Sequence, residues 1–297
     1  MKKVLCIAEV CCDIIFGQLG KIPTLGEEEY CKHFFVKAGG GGNTAMGLAK
    51  LQVPTRILTR VGHDEMGQIV ANHMKESGLD IALTESKTTA STPVSAVMST
   101  KEDRCFASYG GDNTPFVSVE ELEREIEKAD YVHTYLWYCM QYPISELCET
   151  YNKTLSVDTS WIEGLSLEEI KPILSRCTLF TPNEKEAVLL TGKENLEEAL
   201  EILAKIVPNV VITLGSKGSM ALIDGNVHYQ DVVSYGDLVD STGAGDLYCS
   251  GLLYGFINGL GLKKSMEIAS HIAGFSVTYY GGMDEGFTIE KFKGIGI

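Results

Sequence analysis

DSTGAGDLYCSGLLYGF, residues 240–256, sets an acid at each end of a small-residue turn and then enters an apolar run long enough for a helix. An ordinary helix start needs one capping side chain and no glycine. This one has Asp240, Ser241, Thr242, Gly243, Ala244, Gly245 and Asp246. A turn feeding a helix leaves several amide N–H groups unpaired, and the helix dipole adds partial positive charge there. Gly243, Ala244 and Gly245 carry little side chain to obstruct an incoming oxyanion. Such a nest suits negative charge developing on a transferring phosphoryl group. Asp246, beside it, is placed to take the proton of an attacking hydroxyl. The competing reading is a capped helix that needs its glycines only for close packing.

Outward from this stretch, short apolar runs alternate with helical patterns. Residues 4–10, 56–61, 129–136, 154–159, 178–183 and 209–215 read as buried strands, several rich in β-branched residues. Amphipathic helices are expected over 43–51, 65–77, 119–128, 144–152, 167–174, 184–191 and 196–206. Residues 245–258 and 263–279 read as two successive helices of small and apolar residues. Strand–helix alternation predicts an α/β fold, a mostly parallel sheet covered by helices on both faces. Residues 14–37 and 88–111 break the pattern with short alternating pieces, and are expected to form β-hairpins outside the main sheet, as a small lid. No repeat or linker divides the chain, so residues 1–297 read as a single domain.

Three further clusters carry chemistry. Gly39, Gly40, Gly41, Gly42 and Asn43 form a glycine-rich run. Gly40, Gly42 and Ala45 match a loose GxGxxA dinucleotide pattern, with Asp64 downstream. That fingerprint belongs directly after the first strand, whereas this run lies about thirty residues beyond it. A backbone-lined pocket is the better reading, with Asn43 offering donor and acceptor. Asp13, read as an exposed acid after the first strand, is a candidate for sugar hydroxyls. In TPNEKE, residues 181–186, Asn183 and Glu186 share a helix face, where they could hold a hydrated magnesium ion or simply cap the helix. In TLGSKG, residues 213–218, Thr213, Gly215 and Gly218 follow an apolar strand. They suit a nucleotide cradle or a hairpin turn into SMALID. No GxxxxGK[ST] phosphate loop occurs.

The bulk properties limit the partners. The 25 basic and 40 acidic side chains leave a net charge of −15, which argues against nucleic acid or an anionic membrane surface as the main partner. Nine cysteines without a CxxC read as reduced thiols. Glu9 and Asp13 interrupt the N-terminal apolar run, which is too acidic for a leader. No segment reaches the roughly 18 uninterrupted apolar residues of a membrane helix. A soluble, cytoplasmic protein is the expectation.

Taken in series, these pieces resemble the PfkB/ribokinase family of carbohydrate kinases over nearly the whole chain. RVGHDEMG, residues 60–67, looks like the family's VGxDxxG segment, TPNEKEAVLLTG its NxxE element, VITLGSKG its TxGxxG loop and DSTGAGD its C-terminal signature. The resemblance implies a ribokinase-like doubly wound sheet with a β-lid. It implies ATP-dependent phosphorylation of a sugar or sugar-like hydroxyl, with Asp246 as general base and Gly243, Ala244 and Gly245 as anion hole. Asn183 and Glu186 would position Mg2+ and phosphates, and Asn183, Thr213, Gly215, Gly218, Gly243 and Gly245 would contact ATP. Asp13, Gly39, Gly40, Asn43 and Asp246 would form the acceptor site. Relatives also imply a homodimer through the lid and, in some cases, a monovalent cation such as K+ near Asp240.

The chain departs from the family on the acceptor side. Gly40 falls where ribokinases carry lysine, and Gln52 where Gly or Ser is usual. Thr159, Ser160 and Trp161 stand where many sugar kinases show an arginine. Cys11 and Cys12 replace polar residues, so the acceptor pocket is expected to be less polar than usual. A nucleoside kinase shares all this chemistry, with Trp137, Tyr138 or Trp161 as candidates to stack on a base. A regulator that binds sugar or nucleotide without catalysis is the alternative from another class.

Overall fold

The computed structural model describes residues 2–83, 90–100, 104–111, 117–159, 162, 164–281, 283 and 286–295. Its strands, in chain order, begin with β1 Val4–Ile7, β2 Val10–Gly17, β3 His33–Gly40, β4 Thr55–Thr59 and β5 Asp80–Leu83. They continue with β6 Val94–Ser99, β7 Arg104–Tyr109, β8 Tyr131–Tyr135, β9 Thr154–Asp158 and β10 Leu179–Thr181. The last are β11 Asn209–Thr213, β12 Ser219–Ile223 and β13 Asn226–Gln230. The helices are α1 Gly42–Lys50, α2 Glu65–Glu76, α3 Val119–Lys128, α4 Leu136–Gln141 and α5 Ile144–Thr150. They end with α6 Leu167–Leu174, α7 Glu184–Thr191, α8 Leu196–Ala204, α9 Ala244–Ile257 and α10 Gly261–Ser276.

Nine strands form the main sheet in the order β13-β12-β11-β10-β9-β8-β1-β4-β5. From β5 to β11 every neighbouring pair is parallel, and β12 and β13 extend the sheet antiparallel. Parallel strands are buried on both faces, so their side chains alternate between two cores. Leu5, Ile7, Val132, Val157, Phe180 and Ile212 enter one core. Val4, Cys6, Ile57, Leu179 and Val211 enter the other. Chain order reverses at β1: β4 and β5 lie to one side, β8 and later strands to the other. Ligand crevices open at the carboxyl ends of strands at such a reversal.

A second sheet, in the order β3-β2-β6-β7, is the expected lid. It reaches further toward the N-terminus than the sequence suggested. The run 4–10, read as one strand, leaves the main sheet after Ile7 and enters the lid at Val10. An unbroken apolar run conceals this handover because both ends are buried. The reading of Asp13 changes with it. Asp13 lies within β2, paired opposite Lys37 in β3, and is only 6% exposed rather than standing at an exposed strand end. Part of the expected lid segment 88–111, residues 88, 89 and 101–103, lies outside the described residues, as do Ser160 and Trp161.

Local signals set several helix starts. Asp64 accepts from the amide of Gly67, Ser118 from that of Glu121, and Asn195 from those of Glu197 and Glu198. In α9 the glycines permit close helix contact. A Cβ on Gly251 would lie 2.7 Å from the Ala269 backbone in α10, and one on Gly255 2.5 Å from Ser265 Oγ. The expected helices at 245–258 and 263–279 are α9 and α10, the second ending three residues early. No described helix is long and apolar enough to cross a membrane.

Candidate active site

Three chain segments bring the site together at the β1–β8 crevice. Asp246 lies in the first turn of α9, whose N-cap is Gly243 with φ +74°. The left-handed conformation at Gly243 is one that an L side chain resists. Space also requires glycine there, since a Cβ would lie 2.8 Å from Asn43 Nδ2. Within the turn, the amide of Ala244 donates to the Ser241 carbonyl at 3.2 Å. The amides of Gly243, Gly245 and Asp246 find no acceptor among the described residues. A Cβ on Gly245 would meet nothing within 4 Å, so this end of the nest is open. Orphan amides at an accessible helix N-terminus are an anion site.

The Asp246 carboxylate is held on both oxygens. Tyr135, the last residue of β8, donates its hydroxyl to Oδ1 at 2.9 Å. Asn43, from α1, donates its side-chain amide to Oδ2 at 3.3 Å. Thr44 Oγ1 donates to the Asp246 carbonyl at 3.1 Å. Desolvation pushes the Asp246 carboxyl up to about 6 and the charge of Asp13 adds to this, while the bonds from Tyr135 and Asn43 oppose it. A base poised there is ionised at neutral pH yet still basic enough to accept a proton.

Asp246 borders a cavity of about 360 Å³ lined by Glu9, Cys11, Gly40, Gly41, Tyr135, Trp137, Tyr138 and Ile162. Asp13 stands behind its Cys11 wall and accepts from the Cys11 thiol at 3.2 Å. Burial raises the Asp13 carboxyl to about 6. Gly39 makes room for that carboxylate, because a Cβ would lie on Asp13 Oδ2. Asn43 Oδ1 is buried with no hydrogen-bond partner among the described residues, an acceptor available to a ligand hydroxyl.

The other candidates lie along the neighbouring strand ends. Asn183 and Glu186 form a reciprocal capping box at the start of α7: Asn183 Oδ1 accepts from Glu186 N at 2.9 Å, and Glu186 Oε2 accepts from Asn183 N at 2.8 Å. The capping alternative is therefore realised, and Glu186 Oε1 remains outside the box. Asn183 and Thr213 form a parallel bridge, bringing two of the expected nucleotide contacts together. TLGSKG is a hairpin turn between β11 and β12, with Gly215 at φ +58° and Gly218 at φ +94°. A Cβ on Gly215 would meet nothing, whereas one on Gly218 would strike the Gln230 carbonyl. Gly215 thus faces open space while Gly218 is required by packing. Asp240 braces the glycine loop: Oδ1 accepts from Thr242 N and Oγ1, and Oδ2 accepts from Gly281 N.

Sequence reasoning missed Glu9, Tyr135 and Asp158. Asp158, ending β9, is pushed to about 8 by burial, then by the charges of Glu186 and Asp246. It accepts from Thr159 N at 2.7 Å and from the Cys249 thiol at 3.5 Å. The available signal was positional, since Tyr135 and Asp158 end parallel strands and Glu9 lies in the short link after β1.

Residues 1–286 match the family model described as pfkB family carbohydrate kinase. An ATP-dependent 6-phosphofructokinase of Thermoanaerobacterium thermosaccharolyticum is 25% identical over 307 residues, covering 98% of this chain and 92% of that protein. A fructoselysine 6-kinase of Shigella flexneri is 27% identical over 286 residues, covering 95% and 99%. The structure of Arabidopsis thaliana ribokinase complexed with ribose and ATP superposes with a TM-score of 0.81 at 22% identity, covering 100% of this chain and 99% of that one. An adenosine kinase of Sinorhizobium meliloti superposes with a TM-score of 0.85 at 20% identity, covering 99% of each chain. The structural likenesses show the ribokinase fold.

Proposed function

The chain belongs to the pfkB family of carbohydrate kinases, and from that premise we propose that it transfers a phosphoryl group from ATP to a hydroxyl of a small sugar or sugar-like acceptor, with Asp246 as general base. One observation carries the reading. Asp246, raised to about 6, lies between an open nest of unpaired amides and the acceptor-sized cavity. An acceptor in that cavity presents its hydroxyl to Asp246 on one side and to the transferring phosphoryl on the other. Asp246 takes the hydroxyl proton as the oxygen attacks, and the amides of Gly243 and Gly245 stabilise the charge on the transferring group. The free Oδ1 of Asn43 accepts from a neighbouring sugar hydroxyl.

ATP would lie along Asn183, Thr213 and Gly215, with its terminal phosphate toward Gly243 and Gly245. Mg2+ fits beside Asn183 and Glu186, because Glu186 and Asp158 are buried acids whose charges oppose one another. No group of three or more potential ligands gathers for direct coordination among the described residues, so the fit is to a hydrated ion held through water. When bound, Mg2+ neutralises phosphate charge. A monovalent cation at Asp240 would share its carboxylate with three hydrogen-bond donors already in place.

ADP release measured over a panel of sugars, sugar phosphates and nucleosides tests the reading. Turnover of one acceptor class, lost by orders of magnitude in Asp246→Asn with ATP binding kept, is expected. Wild-type turnover in that variant rules out Asp246 as the base. A nucleoside acceptor is the second reading, favoured by Trp137 and Tyr138 in the cavity wall.

A further inference from the structure

We infer that Tyr135 is a positioning residue of the phosphoryl-transfer site, whose hydroxyl fixes the orientation of the Asp246 carboxylate and keeps it ionised. The inference rests on the reading of Asp246 as base.

The ring of Tyr135 is built into place. Tyr135 closes β8, in register with Asp158 of β9, where the crevice opens. Its ring lies against Gly41, where a Cβ would approach to 2.6 Å of Cε2 and 3.1 Å of Cζ. The His133 ring meets it edge-on, with centroids 5.6 Å apart. The hydroxyl therefore reaches Asp246 Oδ1 from a fixed direction, at 2.9 Å. An ionised carboxylate only accepts, so the phenol is the donor, and a bond to a charged acceptor is among the stronger kinds. The second tether, from Asn43, is longer at 3.3 Å.

The surroundings give that bond a chemical consequence. Asp246 is faced by Asp13 and Cys11 from β2, Asp158 from β9, Cys249 from its own helix, and Asn43 and Thr44 from α1. No cation is among them. Burial and the Asp13 charge favour the protonated acid; the tethers from Tyr135 and Asn43 favour the carboxylate, with Tyr135 the larger. Protonated, Asp246 has no capacity to accept the acceptor's proton. Without the phenol its carboxyl also gains freedom to rotate away from the cavity.

Tyr135→Phe keeps the ring and deletes the bond. The base is active when ionised, so kcat/KM rises with pH through its pKa, and a raised pKa moves that limb upward. The expected shift is about one pH unit, from near 6 toward 7, with kcat falling about threefold at pH 6.5, approaching about tenfold well below pH 6, and KM for ATP unchanged. Incorporating 3-fluorotyrosine at position 135 makes the phenol a stronger donor, with one fluorine added at a ring ε carbon, and moves the limb downward. Carboxyl 13C titration of Asp246 gives a readout independent of turnover. An Asp246 titration that is the same in wild type, Tyr135→Phe and the fluorotyrosine protein overturns the inference. A titration that moves while Asp246→Asn keeps full turnover leaves the tether standing and removes Asp246 as base instead.

Discussion

The side-chain amide of Asn43 donates to Oδ2 of Asp246 at 3.3 Å, joining α1 to α9 across 203 residues of chain. On the proposed function the same side chain serves both halves of the site, because its own Oδ1 has no partner among the described residues and can accept from an acceptor hydroxyl. Asn43→Ala removes a donor to the base and a contact to the acceptor. A loss of about 100-fold in kcat/KM for the acceptor is expected, as for deletion of a preorganised donor. The KM for ATP should stay within about twofold. Steady-state kinetics with each substrate varied in turn checks both.

Gly243 and Gly245 bound the same nest but differ in what they tolerate. Gly243→Ala forces a side chain into the left-handed region and against Asn43. It should lower folding stability by about 1–2 kcal/mol and turnover with it. Gly245→Ala meets no protein atom, so stability should change by less than about 0.5 kcal/mol. On the proposed function its methyl projects into the path of the phosphate, and turnover should fall. Urea denaturation beside kcat for the two variants separates backbone strain from obstruction.

Buried acids give folding an unusual pH dependence. Asp13 and Asp246 are raised to about 6 and Asp158 to about 8, against a normal value near 3.8. The folded state therefore binds protons more tightly than the unfolded one, so stability increases as pH falls from about 8 toward about 4. The melting temperature should be higher at pH 6 than at pH 8.5. Asp158→Asn should raise it at pH 8.5 and change it little at pH 5. A melting temperature for Asp158→Asn that tracks wild type across this range would contradict the assignment of a burial penalty to Asp158.

Lys37 ties the lid to the C-terminal segment, donating from Nζ to the carbonyls of Tyr280 at 2.6 Å and Met283 at 3.0 Å. The amide of Gly281, between them, donates to Asp240, which braces the glycine loop. Lys37→Met removes a charged donor from two carbonyls and should destabilise the fold by about 1–3 kcal/mol. Through Gly281 and Asp240 it should also lower kcat. Hydrogen exchange at Thr242 and Gly281, whose amides donate to Asp240, checks this link, and unchanged protection there would confine Lys37 to holding the lid.

The legibility of the site follows the range of its interactions. Asp246, Gly243 and Gly245 were readable because a helix N-terminus is made by neighbours in sequence. The Asn183–Glu186 pair was readable as a cap for the same reason. Its relation to Thr213 was not, since the bridge between them joins the turn after β10 to the end of β11. Asp13 misled because the chain changes sheets between Ile7 and Val10 without any break in hydrophobicity. Glu9, Tyr135 and Asp158 carried no motif at all. Their importance lies in ending or following strands whose carboxyl ends face one crevice.

The order of apolar runs and helical periods was enough to imply the α/β sheet, because burial on both faces demands continuous apolar strands. The DSTGAGD turn was enough to imply an anion-accepting nest with an acid beside it, because unpaired amides at a helix start are a local property. Tertiary structure alone decided which partners that acid has and which walls the acceptor meets. Tyr135 and Asn43 reach Asp246 from 111 and 203 residues away. Only the reversal of strand order at β1 brings those ends within hydrogen-bond range, and no local pattern encodes that distance.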